Sequence, residues 1–163
     1  MARSLIVGLA VCLMTGPGWA QNLNAPDNRT VLGADEFLSA GADAIRMGRY
    51  DDGIRLTQIG LSRAPRHGDR AAALSNLCAA HAAKGEADIA IDYCTESLEL
   101  NARNWRAYSN RSYAYYLKGM YPEARSDLDS AEALAPDARQ VAAIKGLINE
   151  QVLQPRVIME DHQ

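Results

Sequence analysis

The sequence predicts an all-α fold, with about three helical hairpins stacked into a solenoid and one further helix closing it. Four observations lead there. The 163 residues suit one domain, with 48% hydrophobic and 23% charged positions. Alanine, the best helix former, is abundant, while β-branched residues are sparse after residue 31. Apolar residues recur at three- and four-residue steps, the period of helices with one buried face. The pattern itself also recurs, since Gly48, Gly85 and Gly119 stand 37 and 34 residues apart, each between two helical patterns. One hairpin cannot bury both its apolar faces, and a second stacked beside it does so.

The N-terminus reads as a leader, residues 1–20. Arg3 gives a short basic start, residues 5–14 an apolar run, and Gly16, Pro17 and Gly18 a breaker-rich end. Gly18 and Ala20 are small at the two places a signal peptidase reads, so cleavage is expected after Ala20. The apolar run is far shorter than the roughly 20 residues that span a bilayer, so no stable membrane anchor is expected after cleavage. Cys12 lies inside that run behind bulky Val11, a poor setting for lipid attachment. The mature chain is expected in the periplasm or outside the cell. Residues 21–33 are polar and without apolar period, a flexible lead-in.

The first copy of the repeat, 34–67, carries Phe37, Gly41, Ala44, Gly48, Tyr50, Leu61 and Pro65. Gly53 and Gly60 take slots for small residues there, at a helix-propensity cost on the order of 1 kcal/mol each against alanine. The second copy, 71–104, places Leu74, Leu77, Cys78, His81, Ala90, Cys94, Ser97 and Leu100 at related spacings. The excess length between these copies is expected as an inserted polar turn at Gly68, Asp69 and Arg70. The third copy, 105–138, is the clearest, with Trp105, Tyr108, Ser112 and Tyr115 before Gly119, then Tyr121, Ala124, Leu128, Ala131 and Leu134. Asn104 is placed to cap its first helix, and Pro136 to end its second. A last helix, 138–153, is expected with Asp137 as cap, Gln140 at capping-box spacing and an apolar face of Val141, Ile144, Leu147, Ile148 and Val152. Pro155 stops it, leaving 154–163 as a loose tail.

With these residues in these slots, residues 34–138 resemble the tetratricopeptide repeat (TPR) family. The resemblance implies a right-handed α-solenoid whose last helix covers the third hairpin. It also implies a concave groove, lined by the first helix of each hairpin, that takes an extended peptide or a helix of another protein. The groove-facing slots fall on Leu38, Ala42, Ile45, Ala72, Ser75, Asn76, Ala79, Arg106, Ser109, Asn110, Tyr113 and Tyr116. Asn76, Arg106, Ser109, Asn110, Tyr113 and Tyr116 are the candidate binding residues, because tyrosine and arginine are enriched at interface hot spots. The alternative for Tyr113 and Tyr116 is packing against the last helix. Tyr108, Tyr115 and Tyr121 fall in slots that pack between helices. Some family members clamp the C-terminal carboxylate of cytosolic heat-shock chaperones. Only Asn76 and Arg106 match that clamp, and Leu38, Ala42 and Asn110 stand where it needs polar or basic groups, so that ligand is not expected. Asn76 and Arg106 remain suited to a peptide backbone or an acidic group.

Cys78 and Cys94 lie on opposite sides of Gly85, in slots that face the partner helix in that family. Export into an oxidising compartment makes a disulfide the expected state, with two buried free thiols as the alternative. His81, one turn after Cys78, also admits a three-ligand zinc site or a Cys–His pair. No fourth ligand is evident, and oxidation would consume both thiols, so neither metal nor cofactor is expected. Nucleophile elbow, phosphate-cradling loop, HExxH and CxxC are all absent from the sequence, and no enzyme activity is expected. The net charge of −3 becomes −4 without the leader, and no basic stripe supports a nucleic-acid partner. The reading is an exported, non-catalytic scaffold that binds another protein. The alternative is a permanent structural subunit packed through its convex face.

Overall fold

The computed structural model describes residues 35–64 and 66–153; the expected leader, lead-in and tail lie outside them. Among the described residues there are seven α-helices and no strand: α1 Glu36–Arg46, α2 Tyr50–Arg63, α3 His67–Ala83, α4 Ala87–Leu100, α5 Trp105–Leu117, α6 Tyr121–Leu134 and α7 Arg139–Leu153. The first six form three hairpins. Each hairpin packs on the next through α2 against α3 and α4 against α5, while α1, α3 and α5 lie side by side and α7 rests on α5 and α6.

Each hairpin reverses at its glycine. Gly48, Gly85 and Gly119 have φ of +77°, +79° and +72°, the left-handed region that ends a helix cheaply only without a Cβ. The start of α1 is fixed by Asp35, whose carboxylate accepts the Phe37 and Leu38 amides at 2.9 and 3.3 Å. Asn104 likewise caps α5, accepting from the Ala107 amide.

In the first hairpin the helical glycines are what lets α1 and α2 touch. A Cβ on Gly53 would lie 2.3 Å from Ile45 Cγ1, one on Gly60 2.4 Å from Leu38 Cδ2, and one on Gly41 2.4 Å from Thr57 Oγ1. The close approach offsets the helix propensity these glycines give up. Gly60→Ala is therefore expected to destabilise the chain by about 1–3 kcal/mol through overpacking. Gly146→Ala on α7, where a Cβ meets nothing within 4 Å, is expected to stabilise it by about 0.5–1 kcal/mol. Urea denaturation of the two variants checks the opposite signs, and a higher midpoint for Gly60→Ala would refute the packing account.

The second hairpin differs from expectation at its start. Gly68, Asp69 and Arg70 form the first turn of α3 rather than an inserted loop. An acidic residue suits a helix N-terminus, and Arg66 holds Asp69 at 2.7 Å. Beyond that turn α3 is buried continuously from Ala71 to Ala82. Its small side chains, Ala71, Ala72, Ala73, Ala79 and Ala80, let neighbouring helices approach from every side.

The last helix covers the third hairpin, setting Val141, Ile144 and Ile148 against Ala124, Leu128 and Ala131. Gln140 does not complete a capping box. Its side chain is 1% exposed, and its amide donates to Asn110 Oδ1 at 2.5 Å, because the turn that carries it lies against α5 rather than in solvent.

Ion pairs repeat along the edge formed by the hairpin turns. Lys84 pairs with Asp51 at 2.8 Å, and Lys118 pairs with Asp88. In each case a lysine just before a turn glycine reaches the aspartate three residues after the preceding turn glycine. The equivalent slots at the two ends hold Met47 and Pro122, where no further hairpin turn lies alongside among the described residues.

Candidate protein-binding groove

The residues expected to line the groove divide into two sets. Leu38 and Ile45 face α2, as their contacts with Gly60 and Gly53 show. Ser75, Asn76, Ala79, Ser109 and Asn110 are buried, none more than 4% exposed. Asn110 is engaged in joining three helices. Its amide nitrogen lies 3.4 Å from the Ser75 carbonyl on α3, and its oxygen accepts from Gln140 on α7. The physical reason lies in the alanines of α3, which bring α1 and α5 so close that little floor remains open above it. Asn110 therefore ties α3, α5 and α7 together, and Asn76 and Ser109 are buried rather than meeting solvent.

Arg106, Tyr113 and Tyr116 remain partly open on the same face of α5. Tyr113 and Tyr116 stack with centroids 6.2 Å apart and planes 14° from parallel, and Tyr121 tilts against Tyr116 at 6.0 Å. Burial pushes the Tyr113 phenol above its ordinary pKa, with Tyr116 and Tyr50 adding to the effect. A half-dry row of tyrosines thus runs along the turn end of α5, with Tyr50 of the first hairpin close by. Both Tyr113 and Tyr116 also rest on the apolar cluster shared with α7, so their inner edges pack while part of each stays accessible. Arg106 holds its guanidinium 4.3 Å over the Trp105 ring, at the opposite end of the helix.

Tyr108 and Tyr115 are half-buried and flank a residue that the sequence reading did not single out. Arg111 donates to both Asp127 carboxylate oxygens, at 2.6 and 2.9 Å, and to Thr95 Oγ1 at 3.0 Å. This triad ties α5 to α6 and to α4. Its members are 16 residues apart in sequence, and no local spacing signals it.

Cys78 and Cys94 form the expected disulfide, with Cα atoms 5.3 Å apart and both residues fully buried. With the two sulfurs bonded to each other, neither thiolate is available to join His81 in metal or nucleophilic chemistry. His81 is a packed side chain. Its ring stacks on Tyr93 at 5.4 Å, and Nδ1 lies 2.6 Å from Glu86 Oε2. Hydrogen bonds from His81 and Lys84 hold the Glu86 carboxyl below the usual carboxylate range.

Three hairpins with left-handed glycine turns, a covering seventh helix and side-by-side first helices define a helical-repeat solenoid, and the fold is that of tetratricopeptide-repeat domains. No protein-family model matches it. It is 30% identical over 115 residues to chicken (Gallus gallus) DnaJ homolog subfamily C member 3, a match that covers 70% of this chain and 22% of that protein. The chain thus spans about a fifth of that relative's length. Among solved structures, the TPR domain of P58(IPK) superposes with a TM-score of 0.63 at 21% identity, over 73% of this chain and 34% of the other. The second TPR domain of human RPAP3, solved in complex with the HSP70 peptide SGPTIEEVD, superposes with a TM-score of 0.59 at 20% identity, over 69% and 92%.

Proposed function

We propose that the chain is a non-catalytic scaffold of the cell envelope, exported and cleaved after Ala20, that holds a segment of another protein against the α5 face. The observation that carries this reading is the pair of stacked, half-exposed tyrosines, Tyr113 and Tyr116, on the same helix face as Arg106. Tyrosines offer large amphipathic contact area at low entropic cost. A fold of the same kind carries a bound peptide in the human RPAP3 domain, which supports the choice of ligand class. The buried disulfide supports an oxidising compartment. A heat-shock-type carboxylate clamp does not carry over, because Asn76 and Asn110 are enclosed between helices.

The alternative, a permanent subunit packed through the second helices of the hairpins, is less well supported. Their exposed positions carry Asp52 and Arg55 on α2, Asp92 and Glu96 on α4, and Arg125 and Asp129 on α6, whereas obligate interfaces are more apolar.

Affinity capture from envelope extract separates the two. A groove partner is expected to be retained by the exported chain and by Asp92→Lys/Glu96→Lys, and lost with Arg106→Ala/Tyr113→Ala at an unchanged unfolding midpoint. Retention by the groove variant together with loss in the α4 variant would reverse the assignment.

A further inference from the structure

The C-terminal half of α5 carries an apolar stripe that the fold leaves partly uncovered. Tyr113, Tyr116 and Leu117 stand at i, i+3 and i+4, so they share one face of the helix. The two tyrosines are half-buried against the cluster shared with α7, and Leu117 is 40% exposed. Tyr121, tilted against Tyr116, extends this surface toward the hairpin turn.

The end of α7 lies close by. Lys145 pairs with Glu132 near the end of α6, and Arg125 near the start of α6 donates to Asn149 at 3.1 Å. α7 therefore runs antiparallel to α6 and in the direction of α5, and it ends on the same edge as Tyr116 and Leu117. Gln140 sits beside Asn110 in the middle of α5. At a rise of about 1.5 Å per residue, Leu153 lies roughly 10 Å beyond the level of Tyr116. With neighbouring helices about 8–10 Å apart, the stripe is roughly 14 Å from Leu153, the reach of about four extended residues. Four residues beyond Leu153 begins a run of three apolar residues, Val157, Ile158 and Met159, set between Arg156 and Glu160. Pro155 precedes the run and cannot continue a helix.

We propose that Val157, Ile158 and Met159 occupy the stripe of Tyr113, Tyr116 and Leu117 on their own chain, so that a partner must displace this segment to dock. The inference deepens the reading of the α5 face as a docking surface and rests on it. Each side of the contact carries apolar surface whose exposure to water is unfavourable, and a thioether packs well on aromatic rings. The short tether holds the segment at an effective concentration on the order of millimolar. That concentration populates a contact too weak to form between separate molecules. Chains with the stripe occupied are not competent to bind, so apparent affinity for a partner falls in proportion.

The test compares the full chain with its variant Val157→Ser/Ile158→Ser/Met159→Ser, which changes no charge. Tyrosine nitration by tetranitromethane, held to a low extent and read residue by residue by mass spectrometry, reports cover over each ring. Tyr113 and Tyr116 are expected to react about threefold faster in the variant. Tyr93, stacked on His81 in the second hairpin, should react equally in both. A blocked peptide of residues 154–163 added to the variant should restore the protection, and its serine counterpart should not. Equal rates at Tyr113 and Tyr116 in the two chains overturn the proposal. Protection that vanishes when the wild-type chain is diluted gives the stripe to a second copy and also overturns it. Nitration needs no partner, whereas affinity capture reads one. Unchanged nitration, with capture still lost in Arg106→Ala/Tyr113→Ala, sinks the tail contact and leaves the groove reading. Tail-dependent protection with no partner captured does the reverse.

Discussion

Asp127→Ala is expected to lower the unfolding free energy by about 3–5 kcal/mol, a large share of the total for a domain of this size. The Arg111 and Asp127 side chains are 17% and 9% exposed. The Asp127 hydrogen bond raises the Arg111 pKa; removing Asp127 takes that support away, but the ordinary arginine pKa is high enough to keep the guanidinium charged. A cation left between Tyr108 and Tyr115, each 5.9 Å away, keeps ring faces and the Thr95 hydroxyl but loses the anion that balanced its desolvation. Replacing both partners, Arg111→Met with Asp127→Leu, removes the buried charges together and is expected to recover most of the loss. Urea denaturation of the two single variants and the double gives the coupling directly. A cost below about 1 kcal/mol for Asp127→Ala would place the pair with weak surface bridges and refute its role as the tie between α5 and α6.

That pair marks the limit of what could be read from residue order. The three turn glycines, the Asn104 cap and the periodic apolar faces are local signals, each requiring only a few neighbouring residues, and they place all three hairpins. The Cys78–Cys94 pairing was expected from their places on either side of Gly85, in slots that the resemblance turns toward the partner helix, together with the expected export. The binding face was harder. Ser75, Asn76, Ser109 and Asn110 are polar at groove spacing, which argued for exposure, yet they are enclosed. A signal against exposure was present in the alanines of α3, since such small residues allow helices to approach until the polar positions between them are covered. Gln140 shows the same bias. Its spacing suited a capping box, but a contact with Asn110, 30 residues earlier in the chain, claimed its amide. Local pattern located the helices, and the partners of buried polar groups depended on contacts that only folding brings together.

The same alanine-rich packing explains why the second hairpin carries the cross-link. Alanine buries little apolar surface, so an α3–α4 interface built from it gains less from water exclusion than one built from leucine. A disulfide across a sequence separation of 16 contributes about 3 kcal/mol by restricting the unfolded chain. Reduction is therefore expected to cost about 3 kcal/mol while the hairpin still folds, because Cys94 Sγ lies 3.0 Å from the Ala107 carbonyl, an acceptor ready for the freed thiol. Cys78→Ala/Cys94→Ala should lose at least as much, since it also leaves small voids in a fully buried site. Denaturation with and without dithiothreitol tests both expectations. The wild-type midpoint should fall on reduction, with helical circular dichroism retained below it, and the alanine variant should not respond. A wild-type midpoint indifferent to the reductant would mean that close helix packing alone holds the second hairpin, and the disulfide would then lose its weight as support for export.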